Sequence, residues 1–389
     1  MPDIARSDPL ESDELYVSKD FTASGGFTSG VEGPACDIEG NLYAVNFNRQ
    51  GTIGKVTPEG EASVFVELPS GSTGNGIRFD SRGDMLIADY TGHNILRVNM
   101  ATREISVHAH ESSMNQPNDL SIADDDTIYA SDPDWQGGKG SIWRIGPDGS
   151  VDRLDTIVGT TNGIEVATGD STLYVNASDT QQVWAYDREP GGAISNKRLH
   201  IDFPDFRTDG MRCDNEGNLY VTRIGKGTVA KVAPDGTLIR EIETTGTKPS
   251  NIAFGGPDGR TCYVTMAGRG NIETFRAEAP GRSWQMYRDQ VTFADTSAMA
   301  EPDPFSISGN YPNPFNATTA IDYRVNETTH LELSVFSVIG QRIATLYSGV
   351  RQPGTYTTQW NAGAIPSGVY FLRITGSGKS ITHKMTMLR

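Results

Sequence analysis

TDGMRCDNEGNLYV, residues 208–221, decides the fold because the chain repeats it. The repeats begin EGPACDIEGNLYAV at Glu32, NGIRFDSRGDMLIA at Asn75, NDLSIADDDTIYAS at Asn118, NGIEVATGDSTLYV at Asn162, DGMRCDNEGNLYVT at Asp209 and NIAFGGPDGRTCYVT at Asn251. The steps between first residues are 43, 43, 44, 47 and 42, a period that marks a repeat architecture. Each unit opens with an apolar run, an Asp/Gly turn and a second run. A third run such as SIWRI or TVAKV follows, then a hairpin such as GPDG at 146–149 or APDG at 233–236, then a fourth. Four short strands in about 40–45 residues make one propeller blade. The chain is therefore expected to be all-β, with a six-bladed β-propeller over 14–284 after an N-terminal extension, 1–13. ELYVSKDF at 14–21 stands where an outer strand closes the last blade and protects its edge.

With 389 residues, the chain exceeds the roughly 250–300 at which single cores stop growing, so a second domain is expected. Charge marks it. The chain carries −16 overall, but residues 305–389 carry +4, leaving −20 on the first 304. The acidic balance excludes nucleic-acid phosphate as a partner, and no apolar run reaches the length of a membrane span. Residues 285–304, with EPDP at 301–304, read as a linker, with GRSW at 281–284 able to pack on the first domain. Cys36, Cys213 and Cys262 fall in apolar strand patterns and read as small core residues, not as a disulfide or thiolate framework.

Most repeat acids have a local explanation. Asp37, Asp80 and Asp214 precede Gly-containing turns, and Asp148 and Asp235 sit in PDG hairpins, where Asp bonds its own backbone. The leading residues differ. In a propeller the first strand of each blade lines the axis, so Glu32, Asn75, Asn118, Asn162, Asp209 and Asn251 converge on one mouth as oxygen donors with two negative charges. Such a ring suits a hard cation like Ca²⁺; a structural plug of asparagines bonded to backbone stays open as the alternative. His108 and His110 alternate along a strand and read as exposed strand positions before zinc ligands, and GGKG at 137–140 lacks the strand-to-helix setting of a phosphate loop. The loop ASDPDWQGGKG, 130–140, reads as a rim element with Trp135 as an apolar wall for substrate.

EGPACD, QPNDL, TNGIEV, TDGMRCDNEGNLYV and PSNIAFGGPDGRTCYVT, in this order and spacing over about residues 12–284, resemble the senescence marker protein/gluconolactonase family of regucalcin-like six-bladed propellers. The resemblance implies one divalent metal, usually calcium with zinc, magnesium or manganese accepted, held by Glu32, Asn162 and Asp209. It implies hydrolysis of a sugar lactone with Asp209 as general base or nucleophile, and Asn118 in contact with substrate or the metal shell. Asn75 and Asn251 inherit no role and are assigned to structure. One position departs: sugar-lactone members carry a substrate-gripping arginine two residues before Asn118, where this chain has Gln116, a neutral amide without the charged fork. A calcium-dependent phosphotriesterase-like hydrolase and a non-catalytic, calcium-stabilised binding platform remain alternatives.

NYPNPFNATTAIDYRV, LELSVFSVIGQRIATL, GTYTTQWNA and SGVYFLRITGSGKSITHKMTMLR resemble the C-terminal sorting domain of type IX secretion, expected as a small antiparallel β-sandwich over 305–389. The resemblance implies the type IX machinery as a partner and a secreted or cell-surface destination. MPDIARSDPL has neither the basic flank nor the apolar run of a secretory signal, so a signal trimmed from this start is expected.

Overall fold

Each repeat folds into one four-stranded antiparallel sheet. The fourth, for example, consists of Thr161–Val166, Thr172–Ala177, Gln182–Arg188 and Ile194–Asp202, and the fifth of Arg207–Cys213, Leu219–Ile224, Thr228–Val232 and Leu238–Glu243. The sixth takes Pro249–Gly255, Thr261–Met266 and Asn271–Arg276 from the end of the series and its outer strand, Lys19–Asp20, from the beginning, with Lys19 opposite Thr274 and Asp20 opposite Glu273. The computed structural model describes residues 15–288, 304–338, 340–363, 365–376 and 379–388. The extension 1–13 and residues 289–303 of the expected linker lie outside them.

Burial explains the stacking of sheets. Met85–Asp89 and Thr161–Val166 are buried along their whole length, because inner strands are covered on both faces by neighbouring sheets, whereas the outer strand Leu238–Glu243 is mostly exposed. Between sheets sit apolar clusters such as Tyr43, Phe65, Ile77, Phe79 and Leu96, where the Tyr43 ring meets Phe65 at 5.0 Å and Phe79 at 5.7 Å. The sixth sheet returns to the first: Ser250 Oγ donates to the Val31 carbonyl at 2.8 Å. The result is a propeller-like ring of six sheets. All three cysteines are free and buried. The turn acids bond backbone, as in Asn218 N to Asp214 (2.8 Å) and Thr237 N to Asp235 (2.9 Å).

Residues 282–288 form a helix, so 285–288 belong to the first unit and not to a linker. Tyr287 is buried and stacked on Phe79 at 5.3 Å, and Arg282 reaches the Ile122 carbonyl (2.9 Å) and the carboxylates of Asp124 (2.8 Å) and Asp170 (3.1 Å). The helix covers the ends of the inner strands opposite the leading residues, lining a cavity there with Arg78, Ile122, Arg212 and Phe254.

The second unit has a three-stranded antiparallel sheet, Phe305–Tyr311, Thr318–Val325 and Gly354–Asn361, and a four-stranded one, Arg342–Arg351, Thr329–Ser337, Gly368–Gly376 and Lys379–Met387. Alternate residues from both, including Ile321, Tyr323, Leu333, Trp360, Leu372 and Ile374, form one apolar cluster. Along Gly368–Gly376 the buried set is Tyr370, Leu372 and Ile374, while Val369 and Phe371 are half-buried and Arg373 is exposed.

Candidate functional site

The Asn-Gly and Asp-Gly pairs that head the repeats lie inside strands, not in turns. Strand register breaks between Gly74 and Ile77, Thr161 and Ile164, and Thr208 and Met211, so Asn75, Asn162 and Asp209 each sit in a bulge. A bulge re-aims one side chain without ending the ladder. The glycine serves the neighbouring blade: a Cβ on Gly163 would come 2.5 Å from the Asp209 carbonyl oxygen and 2.8 Å from Asn176 Nδ2, and one on Gly76 would come 2.8 Å from Asp119. Gly163→Ala is therefore expected to destabilise the unit by about 1–3 kcal/mol, read as a lowered melting temperature by circular dichroism. An unchanged melt would mean that the blades do not meet so closely.

Hydroxyls and amides on the second strand of one blade pin the leading backbone of the next. Ser131 Oγ donates to the Asn162 carbonyl, and Asn176 Nδ2 donates to the Asp209 carbonyl while its Oδ1 accepts from Gly163 N at 3.2 Å. Just after that strand Ser178 Oγ holds the Thr208 carbonyl at 2.5 Å, and on the second strand of the fifth blade Thr222 Oγ1 holds those of Gly210 (2.8 Å) and Ser250 (3.1 Å). Asp209 thus has its main chain fixed on both sides.

Glu32, Asn162 and Asp209 come together. The Asn162 amide stands near enough to the Asp209 carboxyl to favour its ionised form, and Asn251 does the same for Glu32. Asp209, Asn118, Asn162 and Asn251 are buried, whereas Glu32 and Asn75 keep some accessible surface. Burial first, then the nearby Glu32 carboxylate, pushes Asp209 well above the usual carboxylate range against the lowering effect of the Asn162 amide. Burial likewise pushes Glu32 up to about 7, with Asn251 opposing and Asp119 adding. Asn75 Oδ1 is buried and has no hydrogen-bond partner among the described residues.

One layer deeper lies a set of charges that repeat reading does not anticipate. Asp119, wholly buried, accepts from Arg212 at 2.8 and 3.1 Å, from Arg78 at 3.3 Å and from Leu120 N at 2.9 Å. Arg78 also approaches Glu165 at 3.8 Å, and Glu165 accepts from Ser121 Oγ (3.2 Å) and Cys213 N (3.3 Å). Burial and the like charge of Arg212 draw the Arg78 guanidinium down to about 10. Burial acts to raise Asp119, but Arg212 and Arg78 outweigh it and hold the carboxyl below its usual range. The available signal was columnar. Arg78, Ser121, Glu165 and Arg212 each follow their leading residue by three, and Asp119 replaces the glycine found in four sister repeats.

At the mouth, Gln116 is held by its backbone. Asp132 accepts from Gln116 N at 2.5 Å, from Asn115 N at 2.9 and 3.0 Å and from Trp143 Nε1 at 2.8 Å, fixing the segment that leads into Asn118. Trp135 stands in the loop after the same strand, 37% exposed, with Nε1 donating to Tyr90 Oη at 3.1 Å. His110 meets Asn94 at 2.7 Å and His108 meets Arg97 at 3.3 Å. Lys139 pairs with Asp134 in a β-hairpin. Among the described residues no three His, Cys, Asp or Glu side chains gather as a metal cluster.

A ring of four-stranded sheets that gathers acids and amides at one end of its axis defines a propeller-like protein of the lactonase class. The chain belongs to the SMP-30/Gluconolactonase/LRE-like family, matched over residues 20–268, and ends in a secretion system C-terminal sorting domain, matched over 310–387. It is 25% identical over 272 residues to the gluconolactonase of Zymomonas mobilis, covering 61% of this chain and 76% of that protein. It is 32% identical over 133 residues to the pentonolactonase XacC of Haloferax volcanii (33% and 45% covered) and 31% over 146 to regucalcin of Xenopus laevis (36% and 49%), so these two alignments span about half of each relative. Similar solved structures include the calcium-binding protein regucalcin from Agrobacterium tumefaciens (22% identity, TM-score 0.59, 67% and 97% covered) and a gluconolactonase from Xanthomonas campestris (22%, 0.58, 67% and 89%).

Proposed function

We propose that the first unit is a six-bladed propeller acting as a metal-dependent hydrolase of a sugar lactone, exported by the type IX route through a C-terminal β-sandwich. The observation that carries this reading is the pair of carboxylates, Glu32 and Asp209, in a ring otherwise made of amides, with Glu32 close enough to raise Asp209. The donor set fits a hard divalent cation, calcium first, with Glu32, Asn162 and Asp209 as its holders. The orphaned Asn75 Oδ1 adds an oxygen to the same ring. Such an ion, when bound, polarises the lactone carbonyl. Asp209 accepts a proton from the water that attacks the carbonyl carbon. The ring C–O bond then breaks, and the proton passes to the departing alkoxide, yielding a hydroxy acid. Asn118 and the amide of Gln116 contact the substrate, with Trp135 as an apolar wall.

Turnover of D-glucono-1,5-lactone and of a fluorophosphate ester, each with calcium and with chelator, tests the reading. Chelator-sensitive lactone opening is expected. Calcium binding without turnover of either substrate would favour a binding platform.

The pair also makes the effect of metal depend on pH. Glu32 has its folded pKa near 7, above its ordinary 4.5, so without metal the folded state binds the extra proton and stability falls as pH rises through that window. A cation held by the ionised pair offsets this. The rise in melting temperature on adding calcium should therefore be small at pH 5.5 and larger at pH 8, and equal shifts would count against the ring as the site.

A further inference from the structure

Phe206 has φ 45, in the left-handed region that costs a bulky side chain free energy. It lies three residues before Asp209 on the connection into the fifth blade. Its neighbour Arg207 pairs with Ile224 at the end of the second strand, so Phe206 stands at the same end of the blade as Asp209. It is 49% exposed.

The surroundings enforce this posture. Arg223, wholly buried, stacks over the Phe203 ring at 3.8 Å and donates to the Asp205 carbonyl, to the Asp205 carboxylate at 2.8 Å and to the Phe206 carbonyl at 3.4 Å. Glu241 anchors Arg223 at 3.1 Å, and Lys226 bridges Glu241 (3.0 Å) and Asp205 (3.4 Å). The phenyl ring leans on bare backbone, since a Cβ on Gly225 would come 3.0 Å from Phe206 Cδ1. A buried arginine and a glycine thus hold an aromatic ring in a strained, half-exposed pose that contributes little core burial. Strain kept in this way clusters where a ligand binds. The cations beside it are already paired, Arg207 with Asp179 at 2.8 Å and Arg223 and Lys226 with Asp205 and Glu241, and Gln116 contributes only an amide.

We infer that Phe206 is a specificity-determining residue, a fixed apolar shelf at the mouth that takes the C–H surface beside the carbonyl of an uncharged lactone. That surface is the C–H face of a sugar ring or an alkyl substituent. The inference rests on the lactonase reading and names the substrate chemistry of the same site.

Phe206→Gly removes the ring and relieves the strain together, so it separates binding from folding. The melting temperature is expected to stay within about 2 °C or rise. KM for D-glucono-1,5-lactone or γ-nonanoic lactone should rise about tenfold with kcat within twofold, and Phe206→Trp should restore it. Whichever lactone responds identifies the source of the C–H surface. Unchanged KM for both, with or without a loss of stability, overturns the inference. If the wild type opens neither lactone, the hydrolase reading fails, and the shelf is judged by calorimetry with the matching gluconolactam and nonanolactam. Weaker lactam binding by Phe206→Gly than by wild type sustains it, and equal or absent binding overturns it.

Discussion

Asparagine in place of Asp209 is expected to lower kcat for lactone opening by about a thousandfold or more, while leaving the metal-free fold at least as stable. The two effects come from one fact. Burial and the Glu32 carboxylate hold the Asp209 carboxyl well above its ordinary range, so the ionised side chain is costly in the empty ring. The amide has the same shape, and the backbone pin from Asn176 acts on the 209 carbonyl and survives the change. An amide can neither take a proton from water nor lend charge to a cation, so catalysis and calcium affinity fall together. Single-turnover lactone assays, calcium calorimetry and a thermal melt on one preparation read all three. Activity within tenfold of wild type would remove Asp209 from the reaction, and a large drop in metal-free stability would make it a structural residue.

The blades were legible because their signals are local: two apolar runs about an Asp/Gly turn, repeated with a steady period. The gathering of Glu32, Asn162 and Asp209 was legible because repetition converts equal position in sequence into equal position about an axis. The device that presents them was not. An Asn-Gly pair signals a turn through glycine's conformational freedom, whereas Gly76 and Gly163 are needed because the next blade approaches too closely for a Cβ. That requirement involves residues more than forty positions away. The helix over 282–288 was missed for a related reason: one short element has no periodicity of its own, and residues from separate blades, among them Phe79, Ile122 and Asp170, give it a place to pack.

The buried charges were illegible for a sharper reason. A polar residue within a strand reads as facing water, and Arg78, Glu165 and Arg212 alternate with apolar neighbours as a half-exposed strand would. Inner propeller strands have no water-facing side, so these residues persist only through mutual pairing across three blades. Sequence columns show the residue types without showing that Asp119 from a fourth position meets both arginines.

Asp119→Ala is accordingly expected to produce the largest loss of stability. The carboxylate is wholly buried between Arg78 and Arg212, and removing it leaves two guanidinium groups in low dielectric, with Glu165 still 3.8 Å from Arg78. Breaking one partner of a buried ion cluster costs about 3–5 kcal/mol. For a unit of this size that corresponds to a fall of about 10 °C in melting temperature. Because Arg212 and Arg78 hold the Asp119 pKa below its ordinary value, the stabilisation is present above the unfolded-state pKa and is lost as pH falls through the folded one. The gap between wild type and Asp119→Ala should therefore narrow on acidification from pH 7 towards pH 3. Adding Arg212→Met to Asp119→Ala should recover part of the loss, since it removes one uncompensated charge and fills the space with apolar volume. A gap that is independent of pH, with no recovery in the double variant, would assign the loss to packing about the 119 backbone and not to the charge cluster.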